Sequence, residues 1–196
     1  MGNDLGNFST GITYKNILEL TPGEKELVRS WRNSEHVRFN MLEQGIIPLK
    51  QHLRWLEKLG DEQSSQIVRV AYSSDEPFGL ITLKDIDRHS SRSDWGMYIG
   101  EKDYLGRGLA RPMLYDLLVW GFEEERLERL YTSVLSLNTR ALGLYLDAGF
   151  HIEGRFERHI LSGSGEMADL YWIAMFRDIW NKRKPLLAGA ISRVRS

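Results

Sequence analysis

The chain has 196 residues, 42% of them hydrophobic and 27% charged, with a formal net charge of −1. That length suits one domain with a sizeable core, and the balanced charge gives no global field to attract nucleic acid or an anionic membrane. The chain has no cysteine, which excludes a disulfide scaffold, a cysteine-ligated metal and a cysteine nucleophile, and fits a reducing compartment. No stretch reaches the roughly 18 apolar residues of a membrane span. Met1 to Thr10 has neither a basic nor an apolar signal region, so the expected location is the cytoplasm.

Residues 1–11 are polar and rich in Gly and Asn, and read as a flexible terminus. Ile12 to Leu20 reads as a first strand. Thr21-Pro22-Gly23-Glu24 then opens a helix, with Thr21 as N-cap, Pro22 in the first turn and Glu24 closing a capping box. Leu27, Val28 and Trp31 give that helix a buried face. A connection over residues 32–48, part of it helical, leads to a second amphipathic helix from Leu49 to Leu59. Leu49, Leu53 and Leu56 are assigned to its buried face, and Gly60 ends it.

Three strands follow as an antiparallel meander, Gln66 to Tyr72, Phe78 to Ile86 and Asp94 to Glu101. A helix from about Gly108 to Glu125 carries Leu109, Met113, Leu117 and Trp120 on its buried stripe. Glu123-Glu124-Glu125 reads as its solvated end. Arg129 to Ser136 is a strand, Asn138 to Ala148 a helix stopped by Gly149, and Phe150 to Phe156 and Met167 to Trp180 are two closing strands. The order predicts a single α+β (mixed α/β) domain over residues 12–180, followed by a basic tail at 181–196. The aromatic last strand is the candidate surface for a homodimer.

The most informative stretch is Tyr104-Leu105-Gly106-Arg107-Gly108-Leu109-Ala110, a glycine-rich turn between a strand and a helix. The first N–H groups of a helix lack internal partners and face positive potential, and glycine lets an anion approach the backbone. Taken alone, the pair of glycines marks only the start of a helix. The third glycine of a dinucleotide fingerprint is missing, and so is the Gly-Lys-Ser/Thr of a P-loop. The five histidines, 36, 52, 89, 151 and 159, form no ligand spacing, so no metal is expected.

Two blocks resemble the GCN5-related N-acetyltransferase (GNAT) superfamily. They are Gly106-Arg107-Gly108-Leu109-Ala110 and Asn138-Thr139-Arg140-Ala141-Leu142-Gly143-Leu144-Tyr145-Leu146-Asp147-Ala148-Gly149-Phe150. Gly108 and Ala110 fit the family pattern Gln/Arg-x-x-Gly-x-Gly/Ala, while Leu105 stands where it has Gln or Arg. The resemblance implies a twisted, mostly antiparallel sheet of about seven strands flanked by about four helices. It also implies acetyl-CoA as co-substrate. Leu105, Gly106, Arg107, Gly108, Leu109 and Ala110 would cradle the pyrophosphate, Ile99 would offer backbone groups to the pantetheine arm, and Asn138 would touch the cofactor. Tyr145 takes the position of the general acid for the departing thiolate. As bare sequence, Tyr145 is a packing residue and Asn138 an N-cap.

Trp31-Arg32-Asn33-Ser34-Glu35-His36-Val37-Arg38, with Gln51-His52-Leu53-Arg54-Trp55, resembles one branch of the superfamily. That branch, the PseH type, N-acetylates a nucleotide-linked 4-amino-4,6-dideoxy sugar. The branch that acetylates ribosomal protein N-termini shares much of the pattern, and a non-catalytic acetyl-CoA sensor is the reading from another class. Expected acceptor contacts are Arg32, Met41, His52, Lys84 and Tyr98. For the base, His52 stands first by its ordinary pKa, with Glu43, Asp94 and Glu101 as the other candidates and a water chain as the alternative.

Overall fold

The computed structural model of the chain describes residues 8–162 and 165–195. Its seven strands are β1 (Thr13–Asn16), β2 (Ile67–Ser73), β3 (Glu76–Asp87), β4 (Arg92–Ile99), β5 (Arg129–Leu135), β6 (His151–Leu161) and β7 (Met167–Phe176). They form one sheet in the order β1-β2-β3-β4-β5-β7-β6. Every pairing is antiparallel except β4 with β5. A parallel pair needs a crossover, and α4 (Ala110–Val119) with a π-helical turn at Trp120–Glu124 supplies it. The other helices are α1 (Pro22–Asn33), α2 (Glu35–Arg38), α3 (Leu49–Leu59), α5 (Thr139–Ala148) and α6 (Arg177–Arg195). Six α-helices stand where about four were expected, because α2 and α6 lie in stretches read as connection and tail.

The core is divided by the sheet. On one face α4, α5 and α6 pack around Trp95, Met113, Leu117, Trp120, Leu130 and Trp180. On the other, α1 and α3 cover Val68, Val70, Tyr72 and Leu80 through Val28, Trp31 and Leu59. Helix α4 is buried on most sides, as an apolar central helix should be.

Local signals explain several boundaries. The Thr21 hydroxyl accepts from the Glu24 N–H at 3.3 Å, and Glu24 accepts from the Thr21 N–H at 2.9 Å, completing the capping box. Gly149 ends α5 at φ 117, a left-handed conformation that favours glycine, with its N–H on the Tyr145 and Leu146 carbonyls. The buried face of α3 differs from the expected one. His52 and Leu59 are buried, whereas Leu49 and Leu53 are exposed. The packed side therefore follows positions 52, 55, 56 and 59, with Trp55 and Leu56 against α1 and the sheet.

The described residues toward both ends are more firmly packed than expected. Residues 1–7 lie outside the described residues, but Phe8 packs edge-on against Tyr115 at 5.0 Å and buried Thr10 donates to Asp116 at 2.5 Å. The expected tail is helix α6, and strand β7 stops at Phe176 rather than Trp180. Trp180, Leu187, Ala188 and Ile191 of α6 are buried in the core. The basic residues that suggested a tail lie between these apolar positions on a helical period. Glu123, read as solvated, accepts from Trp180 Nε1 at 2.9 Å and pairs with Lys184 at 2.8 Å, so it anchors α6. Strand β7 has both edges paired, to β5 and β6, so no second copy can add to it as a strand.

Helix α1 is fixed across the end of β4 by Trp31. Its indole N–H donates to Glu101 Oε1 at 2.6 Å, and its ring covers Gly100 so closely that a Cβ there would lie 2.2 Å from it. Gly100→Ala is therefore expected to destabilise the fold by about 1–3 kcal/mol through overpacking. Gly143→Ala, on open α5 surface where a Cβ meets nothing within 4 Å, should instead stabilise by about 0.5–1 kcal/mol. Urea unfolding midpoints check both, and equal shifts for the two variants would contradict the Trp31 contact.

Candidate active site

The parallel contact between β4 and β5 is short. It runs through Arg92↔Arg129, Ser93↔Leu130 and Asp94↔Tyr131, yet β4 continues to Ile99 and β5 to Leu135. Beyond the third pair the strands form a fork. At its apex the Thr132 hydroxyl donates to the Trp95 carbonyl at 2.9 Å. Trp95 thus turns its carbonyl toward β5. Strand alternation turns the backbone groups of Met97 and Ile99 the same way, into the fork. Gly100 faces the opposite side, its N–H on the Phe78 carbonyl at 2.8 Å. Met97 and Ile99 therefore offer a strand edge on which an extended ligand can hydrogen-bond.

The chain leaves β4 through a 3-10 turn at Lys102–Tyr104 and passes Leu105 in extended geometry. Gly106 and Gly108 both have φ 76. A Cβ at either would meet nothing within 4 Å, so backbone handedness rather than crowding selects glycine here. Helix α4 starts at Ala110 with Leu109 as its N-cap and no side chain capping it. Pro112, the third helical residue, has no N–H to leave unpaired. An uncapped helix start behind two open glycines suits a phosphate oxygen. Arg107 lies over the Tyr104 ring at 4.8 Å, and Arg111 reaches Asp147 at 3.4 Å.

Helix α5 brings Tyr145 to the strand that lines the fork. Its ring meets Trp95 edge-on, with centroids 4.8 Å apart. Tyr145 is only 8% exposed, and burial pushes its hydroxyl pKa up, so it keeps its proton at neutral pH. Asn138 caps α5, its Oδ1 accepting from the Ala141 N–H at 3.2 Å. That accounts for Asn138 locally.

The other face of the sheet holds most of the expected acceptor residues. Tyr98 packs with the cluster under α1, and burial raises its hydroxyl pKa while the charge of nearby Arg32 opposes the rise. Arg32 Nη2 donates to the Glu43 carbonyl at 2.5 Å, and Nη1 is buried with no partner among the described residues. Asn33 grips Ile47 twice, accepting its N–H at 2.7 Å and donating to its carbonyl at 3.0 Å. Arg29 also donates to the Ile47 carbonyl, at 3.0 Å, and Arg38 donates to the Gln44 carbonyl at 2.9 Å. The Arg-Asn pair of the sequence motif thus folds the connection containing half-buried Met41 back over α1. No periodicity announces this role, because the partners are loop carbonyls.

Lys84 and Asp94 stand opposite each other on β3 and β4 and form an ion pair of 3.0 Å. Burial lifts the Asp94 carboxyl above the ordinary carboxylate range, and Lys84 pulls it back. Glu101, another candidate base, is engaged by Trp31. His52 is placed elsewhere, in the packing between α1 and α3. It is 4% exposed, and its Nε2 lies 2.9 Å from the Lys25 carbonyl. A carbonyl only accepts, so Nε2 carries the hydrogen and cannot take a substrate proton. Burial lowers the pKa of His52 and keeps the ring neutral. His52 thus sits in the packing between α1 and α3, with its Nε2 committed to the Lys25 carbonyl.

The fork, the glycine turn and the helix carrying Tyr145 match one domain family. Residues 23–158 match the acetyltransferase (GNAT) domain. The chain belongs to the GNAT family. It is an N-acetyltransferase, and acetyl-CoA is its co-substrate. Among curated proteins, the acetyltransferase PseH of Campylobacter jejuni is 28% identical over 72% of this chain and 85% of that protein. The L-amino acid N-acetyltransferase AaaT of Escherichia coli is 26% identical over 76% of this chain and 90% of that protein. Among solved structures, the spermidine N-acetyltransferase of Vibrio cholerae in complex with CoA and spermine superposes with a TM-score of 0.80 at 18% identity. That match covers 88% of this chain and 99% of the other. The Campylobacter jejuni PseH structure gives a TM-score of 0.64 at 22% identity, over 85% of this chain and 99% of that one.

The sheet thus divides the residues expected at the cofactor from most of those expected at the acceptor. The fork leaves a strand edge at Met97 and Ile99, and the glycine turn has open space beside Gly106 and Gly108. Among the described residues no cluster of His, Asp and Glu could hold a metal ion, and no helix is long and apolar enough to cross a membrane.

Proposed function

We propose that the chain acetylates the 4-amino group of a UDP-linked 4-amino-4,6-dideoxy sugar. The observation that carries this is the match to PseH, 28% identity over 85% of that protein. The charges on the acceptor side support it. Arg32 holds a buried N–H without a partner among the described residues, beside Tyr98, on the face where Lys84 also lies. A guanidinium donor suits a diphosphate, and Arg32 and Arg38 oppose a polycation such as spermidine.

In this reading the amides of Gly106, Arg107, Gly108, Leu109 and Ala110 hold the CoA pyrophosphate beside Leu105. Ile99 pairs with the pantetheine arm, and Asn138 meets the cofactor from the start of α5. Acetyl-CoA supplies an activated acyl group whose thiolate leaves readily. The amine attacks the thioester directly, a route with which the absence of a cysteine nucleophile agrees. Tyr145 donates a hydrogen bond to the sulfur as charge develops there. Its raised pKa makes full proton loss unfavourable, so its contribution is the hydrogen bond itself. A cytoplasmic setting belongs to the same reading.

Two measurements test it. Thiol release from acetyl-CoA should be at least about 100-fold more efficient, in kcat/KM, with the UDP-linked amino sugar than with spermidine or an N-terminal peptide. Preference for spermidine or the peptide would overturn the substrate, and tight acetyl-CoA binding with no release to any amine would favour a sensor. Tyr145→Phe should lower kcat by roughly 10- to 1,000-fold while acetyl-CoA affinity changes little, and unchanged turnover would remove Tyr145 from the mechanism.

A further inference from the structure

The basic run Lys182-Arg183-Lys184 lies in α6, and the reaction proposed above makes no use of it. Lys182 is exposed and Lys184 pairs with Glu123, but Arg183 reaches the end of α5, the helix that carries Tyr145. Its Nε donates to the Ala148 carbonyl at 3.3 Å, and its Nη2 donates to the Asp147 carbonyl. Its aliphatic stem lies on Gly149, where a Cβ would come within 3.0 Å of Arg183 Cγ.

A helix leaves its last four carbonyls without intrahelical partners. In α5 these belong to Tyr145, Leu146, Asp147 and Ala148. The Phe150 N–H donates to the Tyr145 carbonyl at 3.0 Å and the Gly149 N–H to the Leu146 carbonyl at 3.0 Å. Arg183 serves the other two, and its charge meets the negative end of the helix dipole. Arg183 is itself held from both sides. Trp180 and Leu187, three residues before it and four after, are buried on the same side of α6. The Trp180 ring lies 5.5 Å from that of Tyr115 in α4 and 6.1 Å from that of Phe122 in the turn that follows. One helix thus joins α4, which starts at the glycine turn, to α5. Tyr145 and Ala148 are one turn apart on the buried face of α5, so a shift of the helix end moves the Tyr145 hydroxyl.

We infer that Arg183 is a positioning residue for the acetyl transfer: by closing α5 from α6, it sets the place of the Tyr145 hydroxyl relative to the glycine turn. This rests on the role given to Tyr145 above, whichever amine is acetylated. The pantetheine arm has a limited reach between pyrophosphate and sulfur, so the elements that meet its two ends must keep their spacing. A misplacement of about 1 Å at a reacting centre is enough to slow a reaction substantially.

The test is a double-mutant cycle on kcat, run with whichever of the UDP-linked amino sugar, spermidine and an N-terminal peptide turns over fastest. Arg183→Gln alone should lower kcat by roughly 3- to 30-fold, as loss of a well-placed charge at a helix end allows, with acetyl-CoA affinity by calorimetry unchanged. In the Tyr145→Phe background the same substitution should lower kcat by less than about twofold, although the melting temperature falls equally in both backgrounds. Arg183→Lys keeps the charge but not the fork of donors, so its kcat should lie between those of wild type and Arg183→Gln; it takes the place of Arg183→Gln in the cycle if that variant does not fold. Equal fold-losses in the two backgrounds would make Arg183 a structural cap alone and overturn the proposal, as would wild-type kcat without its guanidinium. Wild-type turnover in Tyr145→Phe, or no thiol release with any amine, would instead remove the reading beneath the proposal and overturn both.

Discussion

The arrangement depends on two parallel strands that stop pairing. β4 and β5 share three residue pairs and then separate, leaving backbone groups of Met97 and Ile99 with no strand beside them. Unpaired backbone groups inside a fold are expensive, so such an opening persists where something else satisfies them. The crossover between the strands begins with the glycine turn, so one break in the sheet generates both a strand edge and a helix N-terminus. An extended chain ending in a diphosphate matches both, and acetyl-CoA has that form.

The sheet also separates two chemistries. On one face Tyr145 is held against Trp95 by α5, its proton kept in place by burial. On the other face α1 is fixed over the end of β4 by Trp31, Arg32 lies near Tyr98, and Lys84 pairs with Asp94. The α1 motif shapes this side mainly through loop carbonyls. Asn33 and Arg29 bind Ile47, Arg32 binds Glu43, and Arg38 binds Gln44. The shape of this face thus rests on how a short connection is folded onto one helix, while the fork and the glycine turn are set by backbone geometry.

Much of the local structure was legible in the sequence because its signals act over a few residues. The capping box at Thr21, the cap at Asn138, the stop at Gly149 and the glycine turn each act within a few residues, and each forms as expected. The side-chain contacts around α1, β3 and β4 were less legible because they join residues distant in the chain. The pairing of Lys84 with Asp94 needs the β3–β4 register, and the engagement of Glu101 needs α1 laid across β4. His52 looked available by residue type, yet the turn of α3 buries it against a backbone carbonyl. Helix α6 was hidden by its basic residues, although its buried positions follow a helical period.

Amide hydrogen exchange with and without acetyl-CoA tests the central claim most directly, since it reports on the backbone groups that the fork leaves open. Acetyl-CoA should slow exchange at Met97 and Ile99 and across Gly106 to Arg111, while the amides of α3 keep their rates. Protection confined to other segments, with Met97, Ile99 and the turn unchanged, would contradict the account.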